Sequence, residues 1–331
     1  MSLQNHVNWK ALAQIPSWFS SYDNPPIMVS INDRYYIIIG TQLEEAKYAL
    51  YDSIQDILKS VQYKMSQLWK PFRPKDFIKC VYHANNQSIY IFNMTQERLA
   101  RIDTTTNIMT VVSDQFETSY EALMTSMDNV IHILDLKETN PNHYIFNPEA
   151  STITKYSAAQ SKLKLVSHAI AFQSQKWIVA WDDNSMHKYV TKQQKWRKYA
   201  KIQGFNQYIW SSASVVTKDE NKIIFFTPHD NNEVMIFDLK DLSTAILTLK
   251  PPSKGLFIAA TMVFSKDRDA LMTSGFIKQC YKQPKFKDIM ALPASITTLI
   301  GKWVTIEHVH LILQEQDFNY KHWKINVDDI M

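Results

Sequence analysis

The chain has 331 residues, of which 45% are hydrophobic and 21% charged, and its net charge is +4. This balance is ordinary for a globular protein, so it excludes a wholly disordered chain. No apolar run reaches the roughly 18 residues of a membrane-spanning helix, the N-terminus lacks the pattern of a secretory signal, and two cysteines cannot form a disulfide framework, so we expect a cytoplasmic protein.

Six short hairpins are predicted along the chain. In each of them, two apolar strands rich in Ile, Val, Tyr and Phe flank a turn of Asn, Asp, Lys and Ser, which is the composition of a β-hairpin. The hairpins cover residues 27–40, 77–93, 122–135, 168–181, 213–226 and 259–275.

A second pair of strands is predicted about ten residues after each of the first five hairpins. The first strand of this pair ends in an apolar anchor residue. The residue after the anchor is usually Asp or Asn, whose side chains bond to their own backbone and start turns. The anchors recur every 43–51 residues, and they are Tyr51, Ile102, Phe146, Tyr189 and Phe237. We expect them to be buried at equivalent positions.

The repeat therefore consists of four strands at a period near 45 residues, which is typical of the blades of a β-propeller. A β-sandwich also contains many short strands, but it needs no repeat at this spacing. We predict an all-β chain that forms a single six-bladed β-propeller domain over residues 1–331, with seven blades as the alternative.

A helical insertion is predicted in the last blade, at about residues 283–306. Apolar residues recur there at three- and four-residue steps, which places them on one face of a helix. We expect this face to pack on the ring, and the alternative is a helix that docks in a groove of a partner. The apolar residues are Ile289, Leu292, Ile296, Leu299, Ile300 and Trp303.

Two strand patterns follow this insertion, HVHLILQ at 308–314 and HWKINVDD at 322–329. We expect them to complete the sixth blade beside the hairpin at 259–275. Alternatively, the N-terminal segment WKALAQIP at 9–16 supplies a closing strand. Either route joins distant parts of the chain and removes an exposed sheet edge.

The segments IDTTTNIMT at 102–110, FNPEASTI at 146–153 and YVTKQQKW at 189–196 resemble the kelch-repeat pattern YDPxTNxW. The glycine pair of kelch repeats survives only as single residues, Gly40 and Gly275. The resemblance covers about residues 26–331 and is to a divergent kelch-type or galactose-oxidase-like propeller. It implies a propeller fold, in a family whose members are mostly interaction scaffolds, with a few oxidases.

No catalytic, cofactor or metal site is predicted. The chain has five glycines, against about 23 at average usage, and it lacks the Gly-rich loops that bind phosphates. His308 and His310 share a strand face, where two rings could hold a metal, but we interpret them as solvated residues. We expect Cys80 and Cys280 to be small core residues.

The segment 187–201, HKYVTKQQKWRKYAK, contains no acidic residue. Its cations could attract phosphates or an acidic protein surface, and Trp196 and Tyr199 could stack on bases. We favour the simpler interpretation of an outer strand whose charged edge prevents aggregation. The basic residues of this patch are Lys188, Lys192, Lys195, Arg197, Lys198 and Lys201.

We therefore expect a monomeric, non-enzymatic scaffold that binds another protein across one face of the ring. Propeller loops offer a broad surface on a rigid frame. We expect neither nucleic acid nor a membrane as partner, and no cofactor. The alternatives are a propeller enzyme whose active site is assembled from loops, and a basic-patch binder of nucleic acid or acidic protein.

Overall fold

A computed structural model describes the fold of the chain. The residues that it describes are 10–12, 27–31, 35–39, 47–53, 55–65, 78–114, 116–117, 122–135, 142–157, 168–172, 177–182, 185–201, 213–217, 220–226, 233–248, 256–267, 304–314 and 320–326. Within these residues, the only helical element is a short 3-10 turn at Thr191–Gln193, and no helix has the length and apolar character needed to cross a membrane.

The described residues form strands β1 to β25, so the predicted all-β class is confirmed. Their bounds are β1 Lys10–Ala11, β2 Ile27–Ser30, β3 Tyr35–Ile39, β4 Lys47–Asp52, β5 Ile57–Gln62, β6 Lys64–Met65, β7 Ile78–His83, β8 Ser88–Asn93, β9 Arg98–Asp103, β10 Ile108–Ser113, β11 Ala122–Met127, β12 Val130–Asp135, β13 Asn142–Asn147, β14 Thr152–Ser157, β15 His168–Phe172, β16 Trp177–Asp182, β17 Ser185–Val190, β18 Lys195–Lys201, β19 Ala213–Val216, β20 Lys222–Phe226, β21 Glu233–Asp238, β22 Thr244–Thr248, β23 Leu256–Asp267, β24 Val304–Gln314 and β25 Tyr320–Asn326.

These strands make six sheets, which we number in chain order. The first (β2–β5), third (β11–β14), fourth (β15–β18) and fifth (β19–β22) are uninterrupted four-stranded meanders, the form of a propeller blade. The β-propeller arrangement is therefore confirmed. Within the described residues, four of the six sheets are uninterrupted blades of this form. The second sheet (β7–β10) carries β6 as a fifth strand, and the sixth takes β1 from the other end of the chain.

Neighbouring sheets contact each other through their first strands. In this way β2 contacts β7, β7 contacts β11 and β11 contacts β15, while β23 contacts both β19 and β2. Apolar cores lie between the sheets, because a blade cannot bury both faces alone. One core joins the first and second sheets, another joins the second and third, and a third joins the fourth and fifth.

Hydrogen bonds also connect neighbouring sheets. The Tyr48 hydroxyl donates to Oδ1 of Asn107 at 2.9 Å, which joins the first and second sheets. Nε2 of His83 lies 3.0 Å from the backbone oxygen of Asn129 in the third sheet.

All five predicted anchors are buried, with 0–1% of their surface exposed. Each is the fifth residue of the third strand in its sheet. There it pairs with the second residue of the preceding strand, as Phe146 pairs with Ile131 and Phe237 with Ile223. The expectation of equivalent buried positions is confirmed, and the anchors form the same layer in successive sheets.

The turns that follow the anchors confirm the role of Asp and Asn. Oδ1 of Asp103 accepts hydrogen bonds from the backbone N–H groups of Thr105 and Thr106, at 2.9 and 3.1 Å. Oδ1 of Asn147 likewise accepts two backbone bonds. These turns close on a residue with positive φ, such as Asn107 (54°) or Gln194 (48°). Because glycine is scarce, other residues, polar ones with the exception of Leu242, occupy the left-handed conformation that glycine usually takes.

The sixth sheet has the order β1-β25-β24-β23, so the two C-terminal strand patterns share one sheet with the strand at 256–267, as predicted. The N-terminal segment also takes part, because Lys10 and Ala11 of β1 pair with Lys324 and Trp323 of β25. The two predicted routes of closure therefore operate together and join the ends of the chain.

Two boundaries predicted for this region are wrong. The polar segment SKDRD at 265–269 is the predicted turn of the hairpin at 259–275. Its residues 265–267 instead continue β23 and pair with residues 304–306 of β24. The predicted helical insertion cannot extend to 306, because β24 begins at Val304. The backbone pairing of β23 with β24 therefore outweighs the tendency of these polar residues to form a turn. The rest of the predicted insertion and the return strand at 270–275 lie outside the described residues.

Candidate functional site: the basic edge of the fourth sheet

The basic segment found in the sequence forms β17, the turn after it and β18, the last strand of the fourth sheet. One edge of β18 pairs with β17. In the part of the chain that the structure describes, no strand pairs with its other edge. We call this edge, with the exposed residues Lys192, Lys195, Arg197 and Lys198, the basic edge.

The alternation of a β-strand places the side chains of the basic edge. Lys195 and Arg197 are exposed, whereas Trp196 between them is buried. Trp196 pairs with the anchor Tyr189, which directs it into the protein. Lys198 is also exposed, and the ladder register shifts between its partner His187 and Met186.

The other two basic residues of the predicted patch are placed differently. Lys188 on β17 is partly buried, and its Nζ lies 5.6 Å from the centre of the Tyr199 ring, a cation–π contact. Burial lowers the pKa of Lys188, since desolvation disfavours the charged form. Lys201 ends β18, where its backbone pairs with Ser185.

Like charges face each other across β17 and β18. Lys188 lies directly opposite Arg197, an arrangement that destabilises a sheet. None of the four exposed residues of the basic edge forms an ion pair with another described residue. On the third sheet, by contrast, Nζ of Lys155 on β14 lies 2.9 Å from a carboxylate oxygen of Glu117.

The concentration of charge on β18 is not a general property of the fourth strands. β5 and β14 each contain one lysine, and β10 and β22 contain no charged residue. β18 has the sequence KWRKYAK, with four basic residues. On β22, Ile246 is 59% exposed, so an outer strand of this fold tolerates an uncharged, apolar surface.

A buried aromatic cluster lies behind the basic edge, between the third and fourth sheets. The ring centroids of Trp196 and His143 are 5.9 Å apart, and those of Tyr189 and His143 are 4.6 Å apart. Nδ1 of His132 and Nε2 of His143 share a hydrogen bond of 2.9 Å. Near the same cluster, the Thr191 hydroxyl donates to Oδ2 of Asp128 at 3.2 Å. β18 is thus packed firmly on the third sheet.

Burial controls the ionisation of this cluster. It lowers the pKa of His132 to about 4, against a smaller opposing effect of Asp128. The pKa of His143 lies well below its usual value, first because of burial and then because of His132. Both rings are therefore neutral at pH 7. Among the described residues, four polar atoms here have no hydrogen-bond partner: His132 Nε2, His143 Nδ1, Tyr189 Oη and Trp196 Nε1.

The contact between His132 and His143 was not predicted from the sequence. The available signal was their position: His132 follows Ile131, the partner of an anchor, and His143 lies three residues before the anchor Phe146. Since adjacent strands pair antiparallel, such residues come within reach across the sheet. Recognising this would have required the register of the two strands.

The other candidates from the sequence are placed as follows. Cys80 is buried in β7, as expected, and burial raises its pKa to about 12. Cys280 lies outside the described residues. His308 and His310 lie on β24, with Asn326 and Lys324 of β25 opposite them. Within the described residues, no group of three or more His, Cys, Asp or Glu side chains is placed to hold a metal ion.

No protein-family model matches the chain, and no curated protein matches its sequence. Solved structures do resemble it in fold. A luciferin-regenerating enzyme has 5% identity and a TM-score of 0.55, over 96% of this chain and 95% of the enzyme. A chain from a nidogen/laminin complex has 11% identity and a TM-score of 0.51, over 68% of this chain and 80% of its own length.

At these identities, the likeness concerns the fold alone. These neighbours include propeller-like folds, in agreement with the four meander sheets described above. The chain is an all-β protein with a β-propeller arrangement.

Proposed function

We propose that the chain is a non-enzymatic, six-bladed propeller that binds another protein and serves as an interaction scaffold. In this proposal the second and sixth sheets are blades that carry modifications, an added strand in one and a strand from the N-terminus in the other. Its kinship with kelch-type propellers, a monomeric state and a cytoplasmic location belong to the same proposal.

The observation that carries the proposal is the basic edge, a positively charged surface on a packed frame, whose four exposed cations form no ion pair with another described residue. Like charges at Lys188 and Arg197 oppose each other at a cost to stability. A partner that supplies negative charge would offset this cost. Complementary charge of this kind contributes specificity and rapid association between proteins.

The ionisable groups with the largest pKa shifts support a structural rather than a catalytic role. All of them are shifted first by burial, and they are Tyr36, Tyr51, Tyr63, Cys80, His132 and His143. They lie in the packed cores of the sheets. Perturbed pKa values also arise in structural cores, and these groups are of that kind.

The proposal is tested by chemical crosslinking of the tagged full-length chain in an extract, followed by mass spectrometry of the crosslinked peptides. We expect a specific protein partner whose crosslinks map to one continuous surface of the propeller. A parallel incubation with a metabolite extract tests for turnover. Consumption of a metabolite by the purified chain, without a reproducible protein partner, would overturn the scaffold and favour a loop-assembled active site.

A further inference from the structure

We propose that the basic edge binds an acidic, extended segment of a partner protein, which adds to the fourth sheet as a fifth strand beside β18. This inference rests on the proposed function, because it names the chemistry of the segment that the scaffold holds.

The fold itself contains an example of such strand addition. In the second sheet, β6 lies parallel to the outer strand β10, with Lys64 opposite Ile108 and Met65 opposite Met109. The backbone N–H of Lys64 donates to the backbone oxygen of Asn107 at 2.8 Å. The outer edge of a fourth strand in this propeller can therefore accept an additional extended segment. Strand addition is a common mode of peptide recognition.

β18 presents the same local geometry as β10. Asn107 and Gln194 each precede the outer strand and have similar φ angles of 54° and 48°. Met109 and Trp196 are each the second residue of that strand, and each pairs with an anchor. A segment beside β18 would accordingly begin at the backbone oxygen of Gln194 and run past Lys195 and Trp196.

The positive charge of the basic edge favours a segment that contains acidic residues. Lys195 and Arg197 lie two residues apart, so both side chains point to one face of the sheet. Lys192 in the preceding turn and Lys198 add further positive charge. A parallel strand with acidic residues at alternate positions would place its carboxylates near Lys195 and Arg197. Strand pairing then supplies affinity, and the charges supply selectivity.

The position of the aromatic residues favours a peptide over a nucleic acid. Single-stranded nucleic acids are bound by cations together with exposed aromatic rings on which bases stack. Trp196 is 5% exposed and packs against His143 and Tyr189. Tyr199 is partly buried and faces Nζ of Lys188. The edge therefore offers cations and backbone groups without an open stacking surface.

Protection against edge aggregation does not account for the charge by itself. Charged residues do blunt exposed edges, but β22 has no charged residue and exposes Ile246. Within the described residues, β22 is thus an outer strand without such protection. β18 contains four basic residues, one of which lies opposite Lys188. The outer strands β5, β10, β14 and β22 each contain at most one.

The test measures binding of a fluorescent peptide of alternating Glu and Thr residues to the full chain by fluorescence anisotropy. We expect Arg197→Glu and Lys195→Glu each to weaken binding about tenfold or more, because attraction becomes repulsion. Lys59→Glu on β5 is the matched control, since Lys59 is an exposed lysine on the outer strand of the first sheet. It should change the affinity less than about twofold. Arg197→Gln is measured as well, in case the charge reversal disturbs folding.

Two further probes separate the possible modes of binding. The same peptide, N-methylated at alternate backbone amides, should bind about tenfold more weakly, because it cannot complete the strand ladder. Equal binding of both peptides would overturn strand addition. A single-stranded oligonucleotide of equal charge should bind more weakly than the peptide. If it binds more tightly, in a manner that Arg197→Glu abolishes, the edge is a nucleic-acid site and the inference is wrong.

Failure of this inference is distinguishable from failure of the proposed function. If the peptide does not bind, but crosslinking identifies a partner on another surface of the propeller, the scaffold stands and the basic edge is a solvated strand. If neither the peptide nor a protein partner binds, both proposals fall.

Discussion

Nδ1 of His132 and Nε2 of His143 lie 2.9 Å apart in a hydrogen bond between two fully buried rings. The rings lie on adjacent strands of the third sheet and pack against Tyr189 of the fourth. A buried imidazolium here would be costly, because burial outweighs the nearby charge of Asp128. The contact between the third and fourth sheets therefore depends on two neutral histidines.

The first prediction is that stability falls as the pH is lowered from about 6.5 to about 4. The unfolded state takes up protons near pH 6.5, whereas the pKa of His132 in the folded state is about 4. The stabilising contribution is therefore complete above pH 6.5 and is lost on acidification. For His132 it amounts to about 3 kcal/mol. Urea unfolding across this pH range measures it.

A double variant, His132→Leu with His143→Leu, provides the control for this pH dependence. It removes both titrating rings and keeps apolar side chains of comparable volume at the contact. Its stability should change less between pH 6.5 and pH 4 than that of the natural chain. The same slope in both proteins would show that other groups cause the loss of stability in acid.

The second prediction concerns Tyr189, whose buried hydroxyl has no hydrogen-bond partner among the described residues. Burying such a group is costly, so Tyr189→Phe should leave stability unchanged or raise it by about 1 kcal/mol. Tyr144→Phe is the matched comparison, because the Tyr144 hydroxyl donates to the backbone oxygen of Glu117 at 2.9 Å. That variant should lose about 1 kcal/mol. Thermal unfolding distinguishes the two, and a larger loss for Tyr189→Phe would contradict this prediction.

The third prediction concerns Leu242, in the turn between β21 and β22. It has a φ of 61° and a side chain that is 43% exposed. A residue with a Cβ atom is strained in this conformation, by roughly 1–2 kcal/mol. Leu242→Gly should remove this strain, but glycine loses more entropy on folding, which cancels part of the gain. We therefore expect a net stabilisation of about 0.5–1 kcal/mol. Leu242→Ala keeps the Cβ atom and should give no gain. Chemical denaturation of both variants checks the difference.

The repeat in the sequence was sufficient to predict the strands and anchors, because their burial follows from local pattern. Tyr51 and Phe237 occupy equivalent buried positions, because each repeat of about 45 residues forms one sheet with the same arrangement of strands. The extension of β23 to Asp267 was missed, because its partner β24 begins at Val304, far away in the chain. The contact of His132 with His143 was missed since it depends on register, which composition does not specify.

The fourth prediction separates stability from binding at the basic edge. Lys192→Gln, Lys195→Gln and Lys198→Gln should each change stability by less than about 0.5 kcal/mol, because these side chains are exposed. Arg197→Glu should raise stability by about 0.2–0.5 kcal/mol, since it places an acid opposite Lys188. Thermal unfolding measures these effects. A loss above about 1 kcal/mol in any of them would mean that the edge is structural.

The last prediction concerns closure of the sixth sheet, in which β25 lies between β24 and β1. Deleting residues 306–331 removes β25 and most of β24, which leaves both β23 and β1 without their partners. The exposed edges should cause aggregation or sensitivity to protease. Deleting residues 1–8 should be tolerated, because β1 begins at Lys10. Gel filtration and limited proteolysis compare the two proteins. A folded monomer after deletion of 306–331 would show that β1, β24 and β25 are an appendage, and the ring would then have to close without the sixth sheet.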